Sequence, residues 1–225
     1  MSVELGDEIS PETNTRVRAL AHLVERRGVL GVSETVPSYC GLLVYYDPLT
    51  VDYGDLCRRL RALVDEAIPS ALPPARRVEL PCCYDEEFGL DLAAAAQRLG
   101  LAVEELVKLH TGAEHLVYFI GFTPGLPYMG GMPQQLFIPR LETPRVRVPT
   151  GSVSIGGTQC VIYPVESPGG FWVLGRTPVP LYDPGAADPI LLRPGDRVTF
   201  RAIDRAEFDS IAAVAHAGTY RSVIS

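Results

Sequence analysis

Residues 118–133 read YFIGFTPGLPYMGGMP, residues 138–157 IPRLETPRVRVPTGSVSIGG, and residues 162–180 IYPVESPGGFWVLGRTPVP. Across this stretch, glycines and prolines separate short apolar runs at close intervals, and few charges are spent on solvation. Ordinary connecting loops need turn residues but not Phe, Tyr, Trp and Arg set among them, because a large ring beside a glycine gives up hydrophobic burial. The segment therefore reads as a shaped surface built on short strands. Val117–Gly121, Arg145–Val148, Ser152–Ile155, Cys160–Tyr163, Phe171–Gly175 and Arg197–Ala202 are the strands this pattern predicts. Many short strands punctuated by Gly and Pro favour a closed barrel or a sandwich over a parallel sheet.

Upstream, the two structural periods alternate. Val3–Leu5 opens as a short strand, and Val17, Leu20 and Val24 form a helical stripe that stops at Gly28. Val29–Val36 and Leu42–Tyr46 read as strands, Asp47-Pro48 turns the chain, and Leu56, Leu60, Leu63, Val64 and Ala67 mark a second helix. Arg77–Cys83 is the fourth strand. The order β-α-β-β-α-β is that of a split, ferredoxin-like unit, and the polar run Tyr84-Asp85-Glu86-Glu87 separates it from the rest of the chain. The expectation is an α+β protein with a ferredoxin-like domain over residues 1–84 and a β-barrel domain over residues 85–225, the latter entered through a short helical lead-in. That lead-in, Asp91–His110, copies a helix-turn-helix about a glycine. Its only bases are Arg98 and Lys108, set beside Asp91, Glu104 and Glu105, so a packing role is expected rather than DNA binding.

Composition excludes several function classes. The 225 residues carry 20 basic and 27 acidic side chains, a net charge of −7, which repels a phosphate backbone, and no basic stripe offsets it. Nucleic acid is not an expected partner. Lys108 is the single lysine and lies in a helical pattern, so there is no Walker-type phosphate loop. No apolar run reaches the roughly 18 residues of a membrane helix, and the start MSVELGDEIS is acidic where a signal peptide is basic and then apolar. A membrane is not expected, and the reading is cytoplasmic. Five cysteines, two of them adjacent and none in C-x-x-C spacing, argue for reduced thiols over disulfides or zinc. The four histidines never stand at ligand spacing with them, so no metal is expected.

Among candidate site residues, arginine leads, because a planar guanidinium binds a carboxylate or phosphate through two parallel hydrogen bonds. Arg140, Arg145, Arg147 and Arg176 lie inside the Gly/Pro-rich blocks. Arg145 and Arg147 share one strand face, an anion clamp if that face is concave and solvated charge if it is convex. Arg176 follows Phe171, Trp172 and Gly175 and precedes Thr177-Pro178. Phe122 and Tyr128 suit an apolar ligand wall, and Gln159, Tyr163 and Ser167 supply polar groups. The glycines of 121–131 either form consecutive turns or let backbone N–H groups approach an anion. His110 is an acid-base candidate, weighed against a role as a helix C-terminal cap. Ser152 and Ser167 lack a G-x-S-x-G elbow, and no acid is tied by sequence to a histidine, so no triad is legible.

The blocks GFTPGLPYMGG, PRVRVPTGSVSIGG, IYPVESPGGFWVLGRTP and LLRPGDRVTF resemble the allophanate hydrolase subunit 1 family. That family includes the B subunits of bacterial ATP-dependent 5-oxoprolinases and the sporulation-kinase inhibitor KipI. The resemblance implies a cyclophilin-like barrel in the second half and work as one part of an assembly with a larger subunit of related architecture (KipA-like) and a third hydrolase component. The implied reaction opens 5-oxoproline to glutamate, with ATP as co-substrate of the complex and little activity of this chain alone. In that reading His110 and Arg176 take catalytic roles, and Phe122, Tyr128, Arg145, Gln159 and Tyr163 face the substrate. The alternatives are a regulator that inhibits a sensor histidine kinase, and a subunit acting on allophanate or another urea-derived amide. The sequence departs from the family at Thr158-Gln159-Cys160-Val161, where relatives often carry Gln-Thr-Gly. Peptidyl-prolyl isomerase activity follows from the barrel alone and is fold-level analogy.

Overall fold

The computed structural model describes residues 1–216 and 223–224, which divide into two compact units, Met1–Pro74 and Ala75–Ser225. In the first unit, β1 (Ser2–Glu4), α1 (Pro11–Arg27), β2 (Val32–Pro37), β3 (Gly41–Tyr46) and α2 (Tyr53–Glu66) come in that order. The hydroxyl oxygen of Ser10 caps α1 by accepting the Thr13 N–H, Pro11 opens it, and Gly28 ends it at φ 54°, a left-handed conformation glycine adopts at little cost. The Asp52 carboxylate caps α2 by accepting from the N–H groups of Gly54 and Asp55. Three antiparallel strands in the order β1-β3-β2 form the sheet. Val17, Leu20 and Val24 of α1 and Leu56, Leu60 and Leu63 of α2 bury against Leu42 and Val44 of β3.

The expected fourth strand belongs elsewhere. β4 (Arg77–Cys83) pairs in parallel with β12 (Arg197–Ile203), in register from Arg77↔Arg197 to Cys83↔Ile203. The first unit is thus a three-stranded sheet with two helices, not the four-stranded ferredoxin-like arrangement. The physical reason lies in burial. Val78, Leu80, Pro81, Cys82 and Cys83 are all buried, and a strand apolar on both faces needs cover on both, which an interior parallel position gives. The expected boundary after Tyr84 falls at the far end of this strand.

The second unit continues with α3 (Leu92–Leu99), α4 (Val103–Thr111), β5 (His115–Ile120), β6 (Pro127–Gly130), β7 (Arg145–Val148), β8 (Ser152–Gly156), β9 (Gln159–Ile162), β10 (Ser167–Gly169), β11 (Trp172–Arg176), β12, α5 (Arg205–His216) and β13 (Val223–Ile224). Seven strands in the order β11-β8-β9-β6-β5-β12-β4 form a barrel, closed where Arg176 of β11 meets Cys83 of β4, while β13 adds to β4. Leu80, Met129, Val153, Ile155, Cys160, Ile162, Leu174, Val198 and Phe200 fill the main core together with Ala95, Ala96 and Leu106 of the two lead-in helices. Those helices therefore pack, as their charge pattern predicts. Among the described residues no helix is long and apolar enough to cross a membrane.

Strands β7 and β10 stand apart as a two-stranded ribbon. Because alternate residues of a strand face opposite ways, Val161 of β9 and Tyr163 just beyond it turn away from the core that holds Cys160 and Ile162. They join Val148, Phe171 and Val173 in a separate apolar cluster, against which Tyr128 packs. This second cluster places the candidate site on the outside of the barrel wall.

Candidate functional site

A concavity of about 310 Å³ opens over that cluster, walled by Phe122, Tyr128, Tyr163 and Phe171 and bordered by Arg140, Gly169 and Gly170. Its backbone is specialised at two places. A Cβ on Gly169 would lie 1.9 Å from the Tyr163 hydroxyl oxygen, so only glycine lets the ribbon close over that phenol. Phe122 has φ 66° and is the only non-glycine residue with positive φ among the described residues. The Thr123 N–H donates to the Gly121 carbonyl at 2.8 Å, which makes Phe122 the centre of a three-residue turn of the strained kind. The residue is 64% exposed, so the turn holds a large apolar side chain in water. Strain of this type persists where the surroundings over-determine it, and it concentrates at ligand sites.

Among the described residues the groove has one cation. Arg140 lies with its guanidinium carbon 4.5 Å from the centre of the Phe171 ring and donates from Nη2 to Gln159 Oε1 at 3.1 Å. Among the described residues it makes no ion pair. Phe119 stacks on Tyr128 at 4.6 Å, fixing that ring. Burial raises the phenol pKa of Tyr128 and Tyr163, an effect that Arg140 opposes in both. The two phenols therefore stay protonated at neutral pH and can donate hydrogen bonds. Among the described residues the lining contains no histidine, cysteine or carboxylate. The arrangement suits binding a small, partly apolar molecule with one anionic group; it holds no nucleophile-base pair.

Phe122, Tyr128 and Tyr163 thus come together, and Gln159 reaches them through Arg140. Other sequence candidates lie elsewhere. Arg145 forms a bidentate pair with Asp91, its Nη1 donating to Oδ2 at 2.7 Å and its Nη2 to Oδ1. Asp91 Oδ2 also accepts the Val173 N–H at 2.8 Å. This charge is committed to joining the ribbon to β11 and the start of α3, whereas Arg147 is exposed beside Glu166. Arg176 lines another concavity. His110 is fully buried in the barrel core, stacked on Phe200, with Nδ1 2.8 Å from the Tyr84 hydroxyl and Nε2 3.6 Å from Cys160 Sγ. Burial, and then the neighbouring His115, hold its pKa well below the ordinary imidazole value. The side chain is neutral and does not cap α4. Ser167 is buried with its hydroxyl on the Val165 carbonyl at 3.3 Å. Among the described residues no cluster of three or more His, Cys, Asp or Glu is placed to hold a metal ion.

The arginine that reaches the groove, Arg140, stands in the same block as Arg145. Its one distinguishing sequence signal is the absence of β alternation around it, in PRLETP, which frees it from a strand face.

A closed barrel, preceded in the chain by a small α/β unit, is a fold shared with proteins of known structure. Residues 1–192 match the carboxyltransferase domain, subdomains C and D, and the chain belongs to that family. Within it, the chain is similar to the B subunits of 5-oxoprolinases. It is 35% identical over 218 residues to the 5-oxoprolinase B subunit of Bacillus subtilis (strain 168), covering 92% of this chain and 91% of the relative. To the B subunit of the Escherichia coli O157:H7 5-oxoprolinase it is 48% identical over 128 residues, 57% of this chain and 59% of the relative. Among solved structures, TTHA0988 superposes with a TM-score of 0.82 at 39% identity over 91% of this chain. The chain spans 40% of the length of TTHA0988.

Proposed function

We propose that this chain serves as the B subunit of an ATP-dependent 5-oxoprolinase, and that the groove of Phe122, Tyr128, Tyr163 and Phe171 holds the substrate with Arg140 at its carboxylate. The observation that carries the activity is the match to the Bacillus subtilis relative over nine-tenths of both chains. The groove's chemistry supports the placement. 5-Oxoproline is a small ring, apolar on its methylene edge, with a lactam carbonyl and one carboxylate. Such a molecule needs a flat apolar wall, hydrogen-bond donors for the carbonyl and a guanidinium for the carboxylate.

Ring opening adds one water across the amide C–N bond and couples it to hydrolysis of ATP by a second water, giving glutamate, ADP and phosphate. The groove supplies neither a base for the water nor a phosphate cradle. In this reading those parts come from a second, KipA-like subunit and a third component of the complex. ATP is then a co-substrate of the assembly, and a reduced, cytoplasmic setting fits five unpaired thiols. Arg145 acts through Asp91 to position the ribbon that roofs the groove. His110 has no contact with substrate in this scheme and contributes to the barrel interior.

The test is 5-oxoproline-dependent ADP release by the reconstituted subunits, with and without this chain. Release that requires the chain supports the reading; release that is the same without it refutes the role. For the site, Arg140→Gln removes a charge-assisted hydrogen bond worth about 1.5–3 kcal/mol, so KM for 5-oxoproline should rise about 10- to 150-fold while the complex still assembles. Unchanged KM would remove Arg140 from the site.

A further inference from the structure

We propose a second anion site at Arg176: a concavity of about 480 Å³ that takes a small ligand bearing a carboxylate or phosphate on an apolar body. Its lining shares no residue with the groove around Arg140. The wall combines Arg176 with Thr150, Thr177, Tyr182, Phe208 and Ala212.

Arg176 is half-buried, its Nε is buried without a hydrogen-bond partner, and among the described residues the side chain makes no ion pair. Its guanidinium carbon stands 5.1 Å from the centre of the Phe88 ring, and Phe88 is itself fixed by stacking on Phe208 at 4.3 Å. Burial lowers the Arg176 pKa, and the charge of Glu87 counters this. Glu87 is not available as a counter-ion, because it pairs with Arg205, which also holds Asp209. A desolvated charge without a partner is costly, and a bound anion offsets that cost.

The cation is also placed deliberately by the backbone. Gly151 has φ 82°, and a Cβ there would lie 2.4 Å from the Thr177 carbonyl oxygen and 3.1 Å from Arg176 Cγ. Only glycine lets the 150–151 turn lie under the arginine stem. Thr177 Oγ1 accepts the Val179 N–H at 3.2 Å, which leaves its hydroxyl proton to donate. Among the described residues the one carboxylate in the lining, Asp183, is exposed and accepts the Gly185 N–H through Oδ1 at 2.9 Å, within its own loop. A guanidinium, a donating hydroxyl and an apolar floor recognise an oxyanion joined to a few carbons.

Thermal unfolding of the full chain at constant ionic strength tests this, with inorganic phosphate and acetate as separate probes and chloride as the balancing salt. At ten times its dissociation constant a bound anion should raise Tm by about 3–6 °C, and the rise should saturate. The shift should persist in Arg140→Gln, which separates this site from the groove and its proposed role. It should vanish in Arg176→Met, a variant expected to be at least as stable as the parent since the desolvated charge is gone, and survive weakened in Arg176→Lys. A response to phosphate alone or to acetate alone identifies the anion and supports the site. No saturable shift with either anion in the parent protein overturns the proposal, as does an equal shift in Arg176→Met.

Discussion

Asp91→Ala should be among the most damaging single changes outside the hydrophobic core, and its cost follows from the geometry. The Asp91 carboxylate is 8% exposed and holds both arms of Arg145, itself 31% exposed, together with the N–H of fully buried Val173. Alanine leaves that N–H unsatisfied at about 1–3 kcal/mol. It also strands a guanidinium, whose cost is discounted because nearly a third of the side chain sees water. The sum is about 3–5 kcal/mol, the range found when one partner of a buried pair is removed. Arg145→Met should cost slightly less, since Asp91 keeps the Val173 bond. In Asp91→Ala/Arg145→Met no charge is stranded, so the double variant should cost less than the sum of the singles by about 2 kcal/mol. Trp172, the only tryptophan, precedes Val173 and donates to the Pro139 carbonyl at 2.7 Å, so its fluorescence reports unfolding of the second unit. With a urea m-value of about 2 kcal/mol/M, Asp91→Ala should lower the midpoint by about 1.5–2.5 M. Strict additivity in the double variant, or a midpoint shift below about 0.5 M for Asp91→Ala, would refute the account.

Acidification should destabilise the barrel before most carboxylates titrate. Burial pushes His115 down to about 4 and holds His110 well below its ordinary value, while an unfolded imidazole titrates near about 6.5. Between those values the unfolded chain binds more protons, so stability is full above about pH 6.5 and falls as pH drops towards 4, by about 3 kcal/mol for His115 alone. Tyr84, Cys160 and Phe200 border this pair and none is an anion; the His110 carbonyl, 3.4 Å from His115 Nε2, opposes the effect of burial without cancelling it. Urea midpoints at pH 7, 6 and 5 read the effect, and His115→Gln should flatten it; a flat profile in the parent would contradict neutral buried histidines. Phe122→Gly should release the positive-φ strain and raise stability by up to about 1 kcal/mol, because the exposed ring gives up little burial. The same change should weaken groove binding, raising KM for 5-oxoproline in the reconstituted complex, and a fall in stability would show that the ring is structural.

Much of the element order was legible because it rests on local chemistry. The helix closing at Gly28, the strand Arg145–Val148 and the punctuated strands of the barrel half follow from turn residues and periodicity. β6 was hidden because Pro127–Gly130 carries turn residues in a strand; Gly130 is there because a Cβ would meet the Tyr118 ring at 2.3 Å. α5 carries a readable stripe, Phe208, Ile211, Ala212 and Ala215, with Asp204 Oδ1 accepting the Glu207 N–H at its start. For the site, Phe122, Tyr128 and Tyr163 stood out as rings among glycines and share one groove.

The sequence by itself determined that the second half is short strands bent by glycine and proline, that aromatic residues and arginines lie among them, and that a net charge of −7 repels a phosphate backbone. Only the tertiary structure decided which sheet Arg77–Cys83 joins, since its parallel partner Arg197–Ile203 lies some 120 residues along the chain. The same holds for the arginines. Arg145 is neutralised by Asp91, 54 residues away, Arg140 lies over Phe171, and Arg176 pairs with no carboxylate among the described residues. Local sequence fixes backbone geometry through sterics and hydrogen bonding within a few residues, but whether a charge is paired or available depends on which distant group the fold brings within about 4 Å.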